Sequence, residues 1–186
     1  MPNGCKNNVN FTIMERKQLN ELQRAALNRP LPAEAVKPHP SKTFLSTIKI
    51  PYVTEVLNEV FGVGGWQIYS DVIESLCSEK MIIAKVIFEV PDYGVHYECY
   101  GGNDNPDRGD AIKGAITDAM TKIASWMGIG ADVFKGRHEE TRAIADLLAA
   151  TTKEELQSVW SRVKKLNLES VTNACAQRNR ELTNSE

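Results

Sequence analysis

The sequence lacks the features that define membrane, secreted and disulfide-rich proteins. No apolar run approaches the roughly 20 residues that cross a bilayer, and the start, MPNGCKNNVN, holds no apolar segment typical of a secretory signal. The four cysteines are scattered and form no CxxC pair, which argues against a zinc site and against a disulfide framework. We therefore expect an intracellular protein without a membrane span.

Motifs for nucleotide binding and catalysis are also missing. There is no GxxxxGK[ST] phosphate loop, and FGVGGW at 61–66 has too few spaced glycines for a dinucleotide-binding turn. The three histidines, His39, His96 and His138, lie in unrelated contexts without a paired serine or cysteine nucleophile. The sequence indicates no catalytic residue, no metal site and no cofactor, so we expect a protein that is not an enzyme.

One enzyme class remains as an alternative. The dipeptide PD at 91–92, followed by ECY at 98–100, is similar to the PD…(D/E)xK pattern of metal-dependent nucleases. That chemistry needs a lysine beside the metal-binding carboxylates, and Tyr100 occupies its place. A degenerate nuclease using Asp92 and Glu98 would cleave DNA only with Mg²⁺ or Mn²⁺.

Charge is unevenly distributed, although the net charge is only −2. Residues 1–50 hold eight Lys/Arg against three Asp/Glu, whereas residues 51–100 hold two against eight. Phosphate affinity depends on local cations rather than on the total. The near-neutral sum therefore does not exclude nucleic-acid binding, and charge alone does not separate a binding surface from chance variation.

The first fifty residues predict a helix, a connector and a short strand. Apolar residues recur at a helical period over 11–28, where Thr12 and Glu15 have the spacing of a capping box. Four prolines then disfavour helix and indicate a semi-extended linker at about 29–43. A short strand is expected within 42–50.

The centre of the chain predicts a helix followed by an antiparallel sheet. Pro51 suits the first position of a helix that ends at Gly62. Alternation predicts a strand from Trp66 and a clearer strand over 81–90, which the PDYG turn joins to VHYECY as a hairpin. We expect helices on one side of this sheet. Four aromatic residues are candidates for base stacking, but core packing is the favoured interpretation for each: Trp66, Tyr97, Tyr100 and Trp126.

A third helix is predicted in GDAIKGAITDAMTKIASWMGIGADVFKGR at 109–137. Its predicted apolar stripe is Ile112, Ile116, Ala119, Ile123 and Met127. Gly128 is the expected left-handed C-cap. Lys113 and Lys122 lie about 180° apart on the helix, at the two borders of its polar arc. From His138 onward, three short amphipathic helices are predicted, with Thr152 and Glu155 as another capping box.

Two segments give the chain a family resemblance. YVTEVLNEVFGVGGW (52–66) is similar to a helix of the Rad-fifty-two family of single-strand annealing proteins, especially its phage members. KGAITDAMTKIASWMGIG (113–130) is similar to that family's K-x-A-x-T-D-x-x-x-[KR] helix and its glycine turn. Between them, GG at 101–102 stands where the family has a G-Y-G-like turn.

The resemblance implies a fold and a function. The fold is an α+β, antiparallel β-β-β-α core with an N-terminal helix and a C-terminal helical segment, assembled as an oligomeric ring. Residues 1–137 would bind single-stranded DNA in a positively charged groove and anneal complementary strands without ATP, in recombination and repair. A phage origin would place the protein in the bacterial cytoplasm, associated with the nucleoid.

The carry-over to DNA-binding residues is partial. Lys113 and Lys122 match basic positions of the family helix, whereas Thr121 stands where a basic residue is frequent. Tyr52 stands where eukaryotic members have a groove arginine, and it supplies no charge. Further cations are expected to complete the DNA-contact set: Lys42, Lys49, Arg108, Lys135 and Arg137.

The segment 138–186 resembles the C-terminal helices of several phage annealing proteins. The implied partner is the host single-strand-binding protein, and the candidate contact residues are Trp160, Lys153, Arg162, Lys164 and Lys165. Two alternatives stay open. The helices brace the oligomer instead, or the whole protein is a scaffold that recruits replication proteins without annealing DNA.

Overall fold

The computed structural model describes residues 16–38, 46–74, 77–78 and 81–184. Helix and strand are mixed, as the α+β prediction requires. Among the described residues, no helix is long and apolar enough to cross a bilayer.

The first helix is shorter than predicted. α1 spans Glu21–Asn28, and residues 16–20 are not helical. Asn20 sets the start, because its side chain accepts a hydrogen bond from the Gln23 backbone N–H while the Gln23 side chain accepts one from Asn20. This reciprocal pair is the capping box of the helix. The predicted box at Thr12 and Glu15 lies outside the described residues.

A small two-stranded sheet and a second helix follow. β1 (Val36–Pro38) pairs antiparallel with β2 (Ser46–Ile48), so the expected short strand is present, and part of the connector is also a strand. α2 spans Ile50–Phe61, with proline in its first turn, and Gly62 follows at φ 81° as predicted.

The main sheet has three antiparallel strands in sequential order. These are β3 (Gln67–Val72), β4 (Met81–Val90) and β5 (Val95–Asp104). Alternate residues of β4 are buried, and they are the predicted ones: Ile82, Ala84, Val86, Phe88 and Val90. β3 is the strand expected from Trp66, but it is an edge strand whose residues are mostly exposed. The helix that follows the sheet in the chain makes most of its sheet contacts with β4 and β5, so it covers β3 less.

The glycine pair at 101–102 lies inside β5, not in a turn. α3 (Arg108–Trp126) runs along this strand, and a Cβ atom at Gly101 would collide with the backbone of Ala115 and Ala119. Gly101 therefore allows the helix to approach the strand closely. Because of this approach, three alanines are fully buried against the sheet, while Ile112 and Ile116 are only half-buried. The buried residues of the helix are Ala111, Ala115, Ala119, Met120, Thr121, Ile123 and Ala124. Of the predicted apolar stripe, Ala119 and Ile123 are buried, whereas Ile112, Ile116 and Met127 are half-buried.

The remaining helices form a separate apolar cluster. α4 (Ala131–Phe134) follows a turn in which Gly128 has φ 112° and Gly130 has φ 64°. α5 (His138–Ala149), α6 (Lys153–Val163) and α7 (Glu169–Asn184) then pack on one another around Leu147, Leu156 and Val171. The buried residues that pack around the main sheet are a different set, and Val133 in α4 is the last of them along the chain.

The predicted capping box of α6 is present only in half. The Thr152 hydroxyl accepts a hydrogen bond from the Glu155 N–H at 3.2 Å. The Glu155 carboxylate accepts bonds from the backbone N–H and hydroxyl of Thr151, both at 2.7 Å. These bonds hold the pKa of Glu155 below its ordinary value.

Candidate nucleic-acid interface

The Lys122 side chain makes intramolecular hydrogen bonds. Its ammonium donates to the Asp118 carboxylate at 2.7 Å and to the Tyr100 carbonyl at 3.2 Å. The same Asp118 oxygen accepts the Gly102 N–H at 3.0 Å. The pair therefore covers backbone groups on the outer edge of β5, which would otherwise be open to another strand. A phosphate contact of Lys122 would have to compete with these bonds, and it stays a prediction.

The surroundings of Lys113 differ from those of Lys122. It is exposed, and in the part of the chain that the structure describes it has no ion pair or hydrogen bond. It lies nine residues before Lys122, which is about 14 Å along the helix axis. Of the two helix lysines, Lys113 is therefore the one whose charge is available to a phosphate.

The remaining predicted cations differ in their surroundings. Arg108 forms an exposed ion pair with Glu74 at 2.7 Å, at the N-terminal end of α3. Lys49 precedes α2, and its ammonium lies 5.9 Å from the ring centre of Tyr52, within cation–π range. Lys42 lies outside the described residues.

Two segments that carry predicted DNA-binding cations, the end of β2 and the region of α4, contact each other. A Cβ atom at Gly130 would touch the Ile48 side chain, so β2 packs against the turn that begins α4. Lys49 directly follows this contact. Lys135 and Arg137 lie just beyond α4, exposed and without an ion pair among the described residues. The fold thus brings these three cations to neighbouring elements.

The sheet face opposite α3 is acidic. Cross-strand register places Asp71, Lys85 and Tyr100 in one row, and Lys85 pairs with Glu98 at 2.7 Å. The hydrogen bond to Glu98 raises the pKa of Lys85, so this lysine stays charged. His96 contacts Glu89 at 2.9 Å in a neighbouring row. Carboxylates outnumber cations on this face, which therefore disfavours a phosphate backbone.

The aromatic candidates divide into two groups. Trp66 stacks on Phe88 and donates to the Asn58 side chain at 2.9 Å, as expected of a core residue. Trp126 is 53% exposed and Tyr100 is 48% exposed, so the core interpretation of these two is wrong. Trp126 ends α3 beside a glycine turn, and at that position the 3.6-residue period no longer fixes which side is buried.

Sequence reasoning missed a cleft at that end of α3. It has a volume of about 370 Å³, and Lys17, Arg24, Tyr93 and Met127 are among its lining residues. Neither cation belonged to a recognised motif. They come together because α1 and the residues before it pack beside the β4–β5 turn. The Lys17 backbone N–H donates to the Asp92 carbonyl at 2.9 Å, and the Gln23 side chain donates to the Tyr93 hydroxyl at 2.8 Å.

The C-terminal helices contain a larger cleft, of about 410 Å³, between α6 and α7. Of the five predicted partner-binding residues, Lys153 and Trp160 line it, together with Leu156 and Cys175. The other three, Arg162, Lys164 and Lys165, are exposed but do not line it.

The carboxylates of the nuclease alternative do not form a site. Asp92 pairs with Lys17 at 2.6 Å, and Glu98 pairs with Lys85. Within the described residues, no group of three His, Cys, Asp or Glu side chains could hold a metal ion. The geometry therefore gives this alternative no support.

Neither a protein-family model nor a curated protein matches this chain. The resemblance of the two segments to annealing proteins is therefore carried forward as a proposal.

Proposed function

We propose that the protein binds single-stranded DNA and anneals complementary strands without ATP, as a homo-oligomer acting in recombination and repair. The observation that carries this proposal is the order of three antiparallel strands followed by a helix packed along β5, with Lys113 on that helix unpaired among the residues that the structure describes. This is the arrangement that the family resemblance implies. The proposed site of action is the bacterial cytoplasm.

Electrostatics support a path for the strand on the helical side of the sheet. The opposite face carries Asp71, Glu89 and Glu98, which repel phosphates. Lys49, Lys113, Lys135 and Arg137 are exposed or half-exposed, and none is paired with a carboxylate among the described residues. Cations that neutralise the phosphates of two strands at once reduce the repulsion between the strands. This effect is electrostatic, so it requires no nucleotide hydrolysis.

Oligomerisation would multiply a small number of cations into a continuous surface. The two edges of the sheet differ, because Asp118 and Lys122 cover part of the β5 edge whereas β3 is exposed. Ile68 and Tyr69 are large exposed residues on β3. β3 is therefore the edge that we propose for contact with a second copy.

Binding can be tested by fluorescence anisotropy with a labelled 30-nucleotide oligothymidine and a labelled duplex, in EDTA and without nucleotide. We expect tighter binding of the single strand, weakening as salt rises with a slope of roughly 0.7 per phosphate contact. Failure to bind the single strand at low salt would contradict the proposal.

A second candidate function, recruitment of a partner, is favoured by the α6–α7 cleft. Trp160 and Leu156 give it an apolar wall, and Lys153 lies at its lining. An acidic peptide with an apolar end suits such a surface, and the proposed partner is the host single-strand-binding protein. A pure scaffold would bind this partner without measurable affinity for single-stranded DNA.

A further inference from the structure

The cleft between α1, the β4–β5 turn and the end of α3 combines an apolar floor with cations. Leu27, Val95 and Met127 contribute apolar surface, and the Tyr93 ring lies beside them. A volume of about 370 Å³ falls in the range of pockets that hold small ligands or parts of larger ones.

The two cations of this cleft differ in their bonding partners. Arg24 is exposed, and its Nε donates to the Leu19 carbonyl at 3.2 Å. This bond fixes the base of the guanidinium, while its terminal nitrogens have no partner in the described part of the chain. Lys17 pairs with Asp92 at 2.6 Å. That hydrogen bond raises the pKa of Lys17, so the ammonium stays charged.

An exposed tryptophan adjoins the cleft. Trp126 precedes the lining residue Met127, and its ring packs edge-to-face on Tyr97 with centroids 5.7 Å apart. Tyr97 is on the same face of β5 as Val95, another lining residue. The Tyr97 contact holds the indole in place while 53% of Trp126 remains exposed.

Ordered aromatic rings beside an exposed cation, here Arg24, are features with which proteins hold single strands. Bases stack on the rings, and the cations contact the backbone. A duplex keeps its bases stacked inside and cannot offer them to Trp126. An acidic peptide would use Arg24 but would leave the exposed indole without a planar partner.

We propose that this cleft binds one nucleotide of single-stranded DNA, with its base on Tyr93 and Met127, its phosphate at Arg24, and the adjacent base stacked on Trp126. The proposal rests on the proposed function and assigns to it residues that the family resemblance does not. It places part of the DNA path at the C-terminal end of α3.

The test uses the full-length protein, a labelled 30-nucleotide oligothymidine and three variants. Arg24→Ala should weaken binding and lower the salt slope by roughly 0.7. Trp126→Leu should weaken binding about fivefold or more, whereas Trp126→Phe should retain most of the affinity because phenylalanine still stacks. Arg180→Ala, which removes an exposed cation on α7, is the matched control and should bind normally.

Two further readouts make the result decisive. Oligothymidine should quench the tryptophan fluorescence of the wild type but not that of Trp126→Leu, and circular dichroism should show that all variants are folded. If the wild type binds and both Arg24→Ala and Trp126→Leu bind equally well, the cleft assignment is wrong while the proposed function stands. If the wild type does not bind, the proposed function itself fails.

Discussion

The close contact between α3 and β5 makes a quantitative prediction for Gly101→Ala. The new Cβ would lie 2.5 Å from the Ala119 nitrogen and closer still to the Ala115 carbonyl oxygen. Both are backbone atoms, so no side-chain rotation relieves the overlap, and helix and strand must move apart before ordinary contact is restored. Overpacking of this kind costs about 1–3 kcal/mol. We expect the upper end of that range, because Ala111, Ala115 and Ala119 would all lose contact with the sheet.

The matched control is Gly102→Ala, the same substitution one residue along the strand. Its Cβ would face the flexible ends of Ile83 and Met81, at 3.1 and 3.6 Å, so the cost should be small. In a chain of this length, about 3 kcal/mol corresponds to a fall in Tm of roughly 6–12 °C. Urea and thermal unfolding followed by circular dichroism measure both variants. Equal stability of the two would refute the close-packing argument.

Four other predictions concern the helix lysines, the cap of α6 and the C-terminal helices. Lys113→Ala should weaken single-strand binding and lower the salt slope by roughly 0.7 without changing Tm; an unchanged slope would place the DNA path elsewhere. Lys122→Ala should instead lower stability slightly, by about 0.3–0.5 kcal/mol for the half-exposed pair, which a double-mutant cycle with Asp118→Ala can measure. Because the pKa of Glu155 is lowered in the folded state, its stabilising contribution is present above pH 4.5 and is lost as pH falls below that value. Glu155→Gln should flatten the acid side of the stability profile, and an unaltered profile would contradict the Thr151 contact. Deleting 138–186 should leave annealing of naked strands intact and abolish annealing of strands coated with the host single-strand-binding protein; mass photometry showing loss of the oligomer would favour bracing instead.

The sequence predicted correctly those helices and strands whose position is determined by residues close to them in the chain. Strict alternation located β4 and its buried face, and Pro51 and Gly62 marked the ends of α2. The same reasoning failed where distant contacts decide. The buried face of α3 depends on Gly101, 18 residues before Ala119, and its alanines carry too little apolar surface to dominate a periodicity count.

The site was less predictable than the fold. Charge and motif matching named Lys122 without its bonds to Asp118 and the Tyr100 carbonyl. The motif includes Asp118, but it does not reveal that this carboxylate pairs with the lysine. Arg24 gave no sequence signal, and Trp126 was named only as a residue that core packing would explain, because the contact of α1 with the β4–β5 turn and with Gly128 is not visible in the sequence. The exposure of β3 was missed for a similar reason, since alternation does not reveal whether a helix covers the strand.

The central claim, annealing without nucleotide or metal, is tested most directly by the rate at which two labelled complementary strands pair. Donor- and acceptor-labelled oligonucleotides are mixed in EDTA, with and without protein, and energy transfer is followed in time. The account predicts that the protein accelerates pairing, that added ATP or Mg²⁺ is not required, and that Lys113→Ala reduces the acceleration. A pairing rate equal to the spontaneous rate at every protein concentration would contradict it.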